Sequence, residues 1–280
     1  MAIGHAALEN ASTGVQNTAV GGLAGDAITT GYGNEAFGYS ALSANTVGRN
    51  AVAIGSFALA NQNPDSALST YNTAVGYNAG GAVTTGINNT FIGGLAGDNT
   101  TTASSNTAVG YAALGANTTG TRNAALGYQS GVATTTATDN TYLGYAVGEA
   151  LTTGGSNTLV GSKAGQSLTT GNSNVAIGVE ALDADTLGDR NVAIGNSALG
   201  SQNFTSSTDA YNVAIGYTAG ASVTTGVQNT LVGSEAGDAF TDADYNTALG
   251  FRALTTDTKG SRATALGYRA LNTQNFTTAT

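Results

Sequence analysis

Polar and apolar positions along this chain recur every seventeen residues. Residues 72–88, NTAVGYNAGGAVTTGIN, show the pattern: an Asn anchor, a short aliphatic run closed by Gly, an Ala with a Gly or Leu after it, and a Thr-Thr-Gly corner. Numbering each unit from its anchor as slot 1, anchors fall at Asn17, Asn34, Ala51, Asn72, Asn89, Asn106, Asn123 and Asn140. They continue at Asn157, Asn174, Asn191, Asn212, Asn229, Asn246 and Ala263, and residues 1–16 form a further unit without its anchor. The spacing is seventeen except for two units of twenty-one, 51–71 and 191–211, whose four extra residues lie late in the unit and predict a longer loop. A fixed period of this size marks a stacked repeat array, in which each unit buries its apolar face only against its neighbours.

The slots predict the elements. Slot 5 is Gly in all sixteen units, from Gly4 to Gly267, which suits a corner needing positive φ and would weaken a helix. The run before it (NTAVG, NVAIG, NTFIG) predicts a strand of about four residues. Slot 8 is Ala in all units but two (Ser130, Val147), and slot 9 is only ever Gly or Leu, so Leu8, Leu42, Leu59, Leu114, Leu182, Leu199, Leu254 and Leu271 should point inward. The Gly units leave room for neighbouring Leu or Val side chains. A second corner, as at Thr84, Thr85 and Gly86, predicts a second short strand per turn, so the expectation is sixteen turns in parallel register at about 4.7–4.9 Å, a rod of roughly 75 Å. Slot 3 is mostly Ala and points opposite to slot 4, so one of them faces the chain's own core and the other is free for partner chains. The anchor column predicts a ladder of Asn amides, interrupted at Ala51 and Ala263. The fold class is therefore all-β, a parallel solenoid in one repeat domain over residues 1–280. Both ends fall within a repeat and carry no polar cap, which is expected of a segment of a longer protein.

Composition removes several function classes. Gly is 41 of 280 residues, with one Pro, no Trp and no Cys, and only 9% of residues are charged. Small side chains fill a narrow coil but not a wide core. The net charge is −9 and the eight basic residues are scattered, which offers nucleic acid no groove. Without Cys there is neither a disulfide framework nor thiolate chemistry. No apolar run of about 18 residues is present to span a membrane, and MAIGHAALEN is no signal peptide.

The units NVAIG at Asn174, Asn191 and Asn212, and AVAIG at Ala51, resemble the head repeats of trimeric autotransporter adhesins. NTAVGYAALGANTTGTR, from Asn106, is similar to the NTAVGYxAL…NTTG arrays of phage tail-fibre and bacterial surface proteins. The resemblance covers essentially the whole chain and departs from the adhesin heads in unit length, which is typically shorter there. It implies a left-handed β-roll or related solenoid, three chains side by side, in an extracellular shaft or adhesin head on a virion tail or bacterial surface.

Candidate chemistry is sparse. His5 is the only histidine, at an edge position, and assembles no acid–base pair. Neither G-x-S-x-G nor a Walker pattern occurs. Asp183, Asp185 and Asp189, and again Asp238, Asp242 and Asp244, are read as solvated loop acids, since the Ca²⁺ nonapeptide is absent. Tyr39, Tyr77, Tyr111, Tyr128, Tyr145, Tyr217 and Tyr268 recur at slot 6, which suits packing at a boundary between chains or, alternatively, a glycan-binding row. Adjacent Thr residues at the second corner point to opposite faces of a strand, which argues against a flat ice-matching array. The expected function is a structural fibre or adhesin-head segment, with no catalytic residue, cofactor or metal. Its expected partners are two further copies of itself, possible end-to-end neighbours and a host receptor or glycan met by the long loops. The alternative is a glycan-binding, less readily ice-binding, module using the Tyr or Thr columns.

Overall fold

The computed structural model describes residues 1–278. Its contacts divide the chain into two compact units, Met1–Asp139 and the remainder from Asn140. Each is a parallel β-solenoid of eight turns, and no described residue is helical. In the first unit the strands are β1 (Ala2–Ile3), β2 (Thr18–Val20), β3 (Glu35–Phe37), β4 (Val52–Ile54), β5 (Thr73–Val75), β6 (Thr90–Ile92), β7 (Thr107–Val109) and β8 (Ala124–Leu126). In the second they are β9 (Thr141–Leu143), β10 (Thr158–Val160), β11 (Val175–Ile177), β12 (Gly188–Asp189), β13 (Val192–Ile194), β14 (Thr208–Asp209), β15 (Val213–Ile215), β16 (Thr230–Val232), β17 (Thr247–Leu249) and β18 (Thr264–Leu266). Within each unit, slots 2–4 of one turn pair in register with slots 2–4 of the next; Thr73, Ala74 and Val75 lie opposite Thr90, Phe91 and Ile92.

The expectation of two strands per turn is corrected. Among the described residues, one strand of three residues serves most turns, and a second sheet exists only as β12 with β14, with a single bridge between Arg49 and Ser69 in the first unit. The reason lies in the backbone. Slots 7, 9 and 17 are left-handed in turn after turn, even at Leu42 (φ 55), Leu59 (φ 48) and Arg122 (φ 57). These bends confine extended backbone to slots 2–4 of each turn and, beside the long turn of the second unit, to the two-residue strands β12 and β14. The conformation costs roughly 1–2 kcal/mol for an L-residue, and hydrogen bonds from turn to turn offset it, as where Leu42 N donates to the Ala58 carbonyl at 3.0 Å.

Slot 5 explains its own invariance. Gly76 sits at φ +138, and a Cβ there would lie 2.5 Å from the carbonyl oxygen of Gly93 on the next turn. Glycine therefore stacks on glycine along this corner.

Slot 3 faces the core. Ala19, Ala36, Ala53, Ala74 and their counterparts are buried, whereas slot 4 residues such as Ile54, Ile92, Leu126 and Leu249 are 40–49% exposed. Slot 9 is buried at Leu42, Leu59, Leu114, Leu182, Leu199 and Leu254, as expected, but Leu8 is only half-buried and Leu271 is 46% exposed. It is also coupled to slot 12. Where slot 9 is Gly, slot 12 is Ile28, Val83, Thr100, Thr134, Leu151, Leu168, Val223 or Phe240; where slot 9 is Leu, slot 12 is Asn45, Gln62, Asn117, Asp185, Gln202, Asp257 or Gln274, with Ala11 in the first unit. The two slots compete for one volume. A Cβ on Gly25 would meet Ile28 Cδ1 at 3.0 Å and Leu8 Cδ2 at 3.2 Å, and one on Gly165 would meet Leu168 Cδ1 at 2.9 Å. When Leu takes the volume, slot 12 turns polar and closes the second corner: Gly48 N donates to Asn45 Oδ1 at 2.9 Å, and Gly188 N donates to Asp185 Oδ1 at 3.0 Å.

The two units echo each other at an offset of 140 residues. The long turns 51–71 and 191–211 carry Gln62 and Gln202, Asn63 and Asn203, and Tyr71 and Tyr211 at matching places. Their inserted loops expose Asp65, Ser66 and Leu68 in one unit and Thr205, Ser206 and Ser207 in the other.

Candidate functional site

The anchor column forms the expected ladder. Asn34 N and Nδ2 reach Asn17 Oδ1 at 3.0 and 3.1 Å, and Asn34 Nδ2 also donates to the Gly48 carbonyl at 3.0 Å, tying the second corner of its own turn. The pattern repeats from Asn72 to Asn89 and Asn106 in the first unit, and from Asn140 through Asn157, Asn174 and Asn191 in the second. The column is buried, so each amide is consumed by structure. At Ala51 the ladder breaks as expected. Asn72 Nδ2 instead donates to Gln62 Oε1 at 2.7 Å, a slot 12 residue of the long turn.

Threonine forms a second ladder. Thr29, Thr84, Thr101, Thr152, Thr169 and Thr224 each donate from Oγ1 to the slot 13 carbonyl of the following turn at 3.0–3.2 Å. Thr30, Thr102, Thr119 and Thr153, at slot 14, are exposed. The two Thr columns thus part company as the sequence suggested, and the inner one has its hydroxyls committed.

The slot 6 tyrosines stand in the open, from 47% exposed at Tyr128 to 72% at Tyr268. Tyr111 and Tyr128 stack with centroids 5.5 Å apart and planes at 18°, and Phe251 and Tyr268 stack at 5.6 Å and 17°. Phe57, from slot 7, stands edge-on between Tyr39 and Tyr77. Rings stacked in this way turn their faces to one another and leave edges and hydroxyls outward.

The acids are dispersed over different columns. Asp183 and Asp238 stand at slot 10, Asp185 is fully buried at slot 12, Asp242 stands at slot 14, and Asp189 and Asp244 at slot 16. Asp185 accepts from Gln202 Nε2 at 2.6 Å, and burial pushes its carboxyl above the ordinary range. Burial also raises Asp183, reinforced by Glu180, and raises Asp98 and Asp238. Asp189 accepts from Asn172 N at 2.6 Å and from Ser207 Oγ at 2.7 Å. No group of three or more His, Asp or Glu is gathered as metal ligands among the described residues. His5 is exposed. Ion pairs join neighbouring turns: Arg122 with Asp139, Arg252 with Glu235, and Arg190 with Asp209. No helix among the described residues is long and apolar enough to cross a membrane.

The broadest feature is the outer face of the strands. In each unit slots 2 and 4 present Thr or Val beside Val, Ile or Leu, and of all the charged side chains only Glu35 lies in these columns. Eight turns at about 4.8 Å, and about 13 Å from slot 2 across slot 6, make roughly 500 Å² per unit. The alternation that carries this face was legible in the sequence; which of slots 3 and 4 points outward was not.

Comparison with protein-family models, with curated proteins and with solved structures returns no match to this chain.

Proposed function

We propose that the chain is a structural segment of a fibre or adhesin head, on a phage tail or a bacterial cell surface, in which three copies lie side by side. The observation that carries this reading is the outer strand face: aliphatic at slot 4, almost free of charge, and repeated on every turn. The largest apolar patch on a monomeric protein is often functional, and the slot 4 column with its slot 2 and slot 6 flanks makes a face of roughly 500 Å² in each unit, near the upper end of what monomers expose. A second and third copy suit it. Their faces carry the same residues at the same rise, they bring a single charged side chain each, Glu35, and closed association of identical patches is the usual solution for homo-oligomers. The slot 6 tyrosines, apolar rings with a polar tip, suit the margins of such a contact. The ladders of Asn and Thr stiffen each turn against the next, as a load-bearing shaft requires. The resemblance of the repeats to adhesin heads and tail-fibre arrays points the same way and supplies the extracellular setting. The exposed loops of the turns 51–71 and 191–211 are the places where such a shaft would meet a host surface.

Light scattering on a sizing column tests the assembly. Three times the 27.4 kDa chain mass, held on dilution, is the expected result. A stable monomer would sink it.

A further inference from the structure

One hollow stands apart from the strand face and from the ladders. It lies wholly within the first unit, along slots 7, 10 and 11 of the turns around the first long unit, and is an open depression of about 490 Å³. The small side chain of Ala60 leaves the space at slot 10, where other turns carry Gln166 or Glu149, and Ala44 at slot 11 borders it. Leu23 and the half-buried Phe57 line it with apolar surface; Asp26, Ser43, Asn61 and Asn78 line it with polar groups. Two of these are already oriented. Ser43 Oγ donates to the Ala60 carbonyl at 3.3 Å, and Asn61 Nδ2 donates to the Gly81 carbonyl at 2.7 Å, which leaves Asn61 Oδ1 as an acceptor. Asp26 Oδ1 is buried and has no hydrogen-bond partner.

The chemistry of the lining selects the ligand. No Lys or Arg is present, so phosphates, sulfates and acidic sugars would meet Asp26 without a counter-charge. An unpartnered carboxylate oxygen needs a donor. Adjacent hydroxyl and amide groups beside an aliphatic and an aromatic side chain match a ring that carries hydroxyls on its rim and C–H groups on its faces. The volume is in the ordinary range for small-molecule sites, about 300–1,000 Å³.

We propose that this hollow binds one pyranose unit bearing hydroxyl or amino donors, with the Asp26 side chain turning its unpartnered carboxylate oxygen to accept from the sugar and Leu23 and Phe57 meeting its C–H face. The site adjoins the Tyr column, since Phe57 stands edge-on between Tyr39 and Tyr77, while its polar groups, Asp26, Ser43, Asn61 and Asn78, lie outside the Tyr and Thr columns. The corresponding place in the second unit is no duplicate: Asp183 and Ser197 stand where the first unit has Ser43 and Phe57, and the hollow there is about 220 Å³. One sugar per chain is therefore expected.

The test is saturation-transfer NMR and calorimetry on the full chain with methyl α-D-glucopyranoside, methyl β-D-galactopyranoside and glucosamine. Binding in the millimolar range, about 1–10 mM, is expected for one monosaccharide unit. Ala60→Gln fills the hollow with a side chain that slot 10 already accepts at Gln166, and should abolish transfer while leaving the thermal midpoint in place. Asp26→Asn should weaken binding by about fivefold or more, as loss of a charge-assisted hydrogen bond predicts. Transfer to glucosamine alone would assign an ammonium donor to Asp26, and transfer to all three a hydroxyl. No transfer from any probe at about 20 mM would overturn the proposal, that being well above the expected dissociation constant. So would transfer that Ala60→Gln leaves unchanged.

Discussion

At the scale of single residues, the fold is held by side chains that act as backbone. Asn89 shows this. Its Oδ1 accepts from Asn106 N at 3.0 Å, and its Nδ2 donates to the Ala103 carbonyl at 2.9 Å, both in a buried column. Replacing Asn89 by Ala strands a buried donor on the next turn and a buried carbonyl on its own. Each costs about 1–3 kcal/mol, so a loss of roughly 2–5 kcal/mol is expected in urea unfolding. Ala51→Asn should act in the opposite sense. The equivalent position in the second unit is Asn191, whose Oδ1 accepts from Asn212 N at 3.2 Å while Gln202 Oε1 still accepts from Asn212 Nδ2 at 2.8 Å. Asn and Gln thus coexist there, and Ala51→Asn is expected to raise stability by about 0.5–1.5 kcal/mol, the net worth of one hydrogen bond. A lowered melting temperature for Ala51→Asn would show that Gln62 already fills the gap.

At the scale of the turn, the unit of design is the pair of slots 9 and 12. In the turn of Leu114 and Asn117, Leu114→Gly should cost about 2–4 kcal/mol, the cavity left by Leu offset in part by relief at φ 52. Asn117→Leu alone should also destabilise, because Leu114 already holds the volume. The double substitution recreates the arrangement of Gly165 and Leu168, and should recover more than half of the summed loss. Additive losses in thermal unfolding would dissolve the coupling. The slot 10 acids give the turn a pH response. Burial raises Asp98, Asp183 and Asp238, so the folded chain holds these protons more tightly than the unfolded one. Stability should therefore grow as pH falls from about 7 through the raised values toward the ordinary 3.8, and fade as pH rises through them. Asp139, held low by its hydrogen bond to Arg122, opposes this only below the ordinary range. Asp183→Asn should melt higher than the parent at about pH 7 and gain less on acidification, a comparison scanning calorimetry makes directly.

What the sequence disclosed at this scale follows from which slots are chemically uniform. The Gly corner, the Asn ladder and the Leu column were legible because a single side chain recurs where a single geometry is required. The second strand was misread because its corner residues, Thr, Thr and Gly, end a strand and a tight turn equally well. The left-handed residues that bend the chain around this corner are Leu42, Lys163 or Arg122, which carry no turn signature. The hollow near Asp26 escaped for the opposite reason: a small residue at Ala60 opens it, and an absent side chain leaves no motif.

At the scale of the whole molecule, the distribution of charge separates two kinds of surface. Acids and bases that pair from turn to turn occupy the corners, as with Arg252 and Glu235 at 2.7 Å, and these tolerate water. The outer strand face has no such pairs and presents Ile92 and Leu126 at 40% and 49% exposure. That contrast makes the assembly testable without disturbing the coil. Lysine on a solvent-facing strand position costs little, within about 1 kcal/mol on the scale of strand propensities. Lysine in a face covered by other copies must bury a charge or separate the chains. The double variant Ile92→Lys, Leu126→Lys should therefore elute as a single chain of 27.4 kDa, with its far-UV spectrum unchanged, where the proposed assembly of the parent would elute at three times that mass. Charge reversal at the corner pair, Arg252→Glu with Glu235→Arg, should leave the mass untouched. If the lysine variant kept the parent's mass, the copies would meet elsewhere, and the tyrosine margin and the long turns would become the surfaces to substitute next.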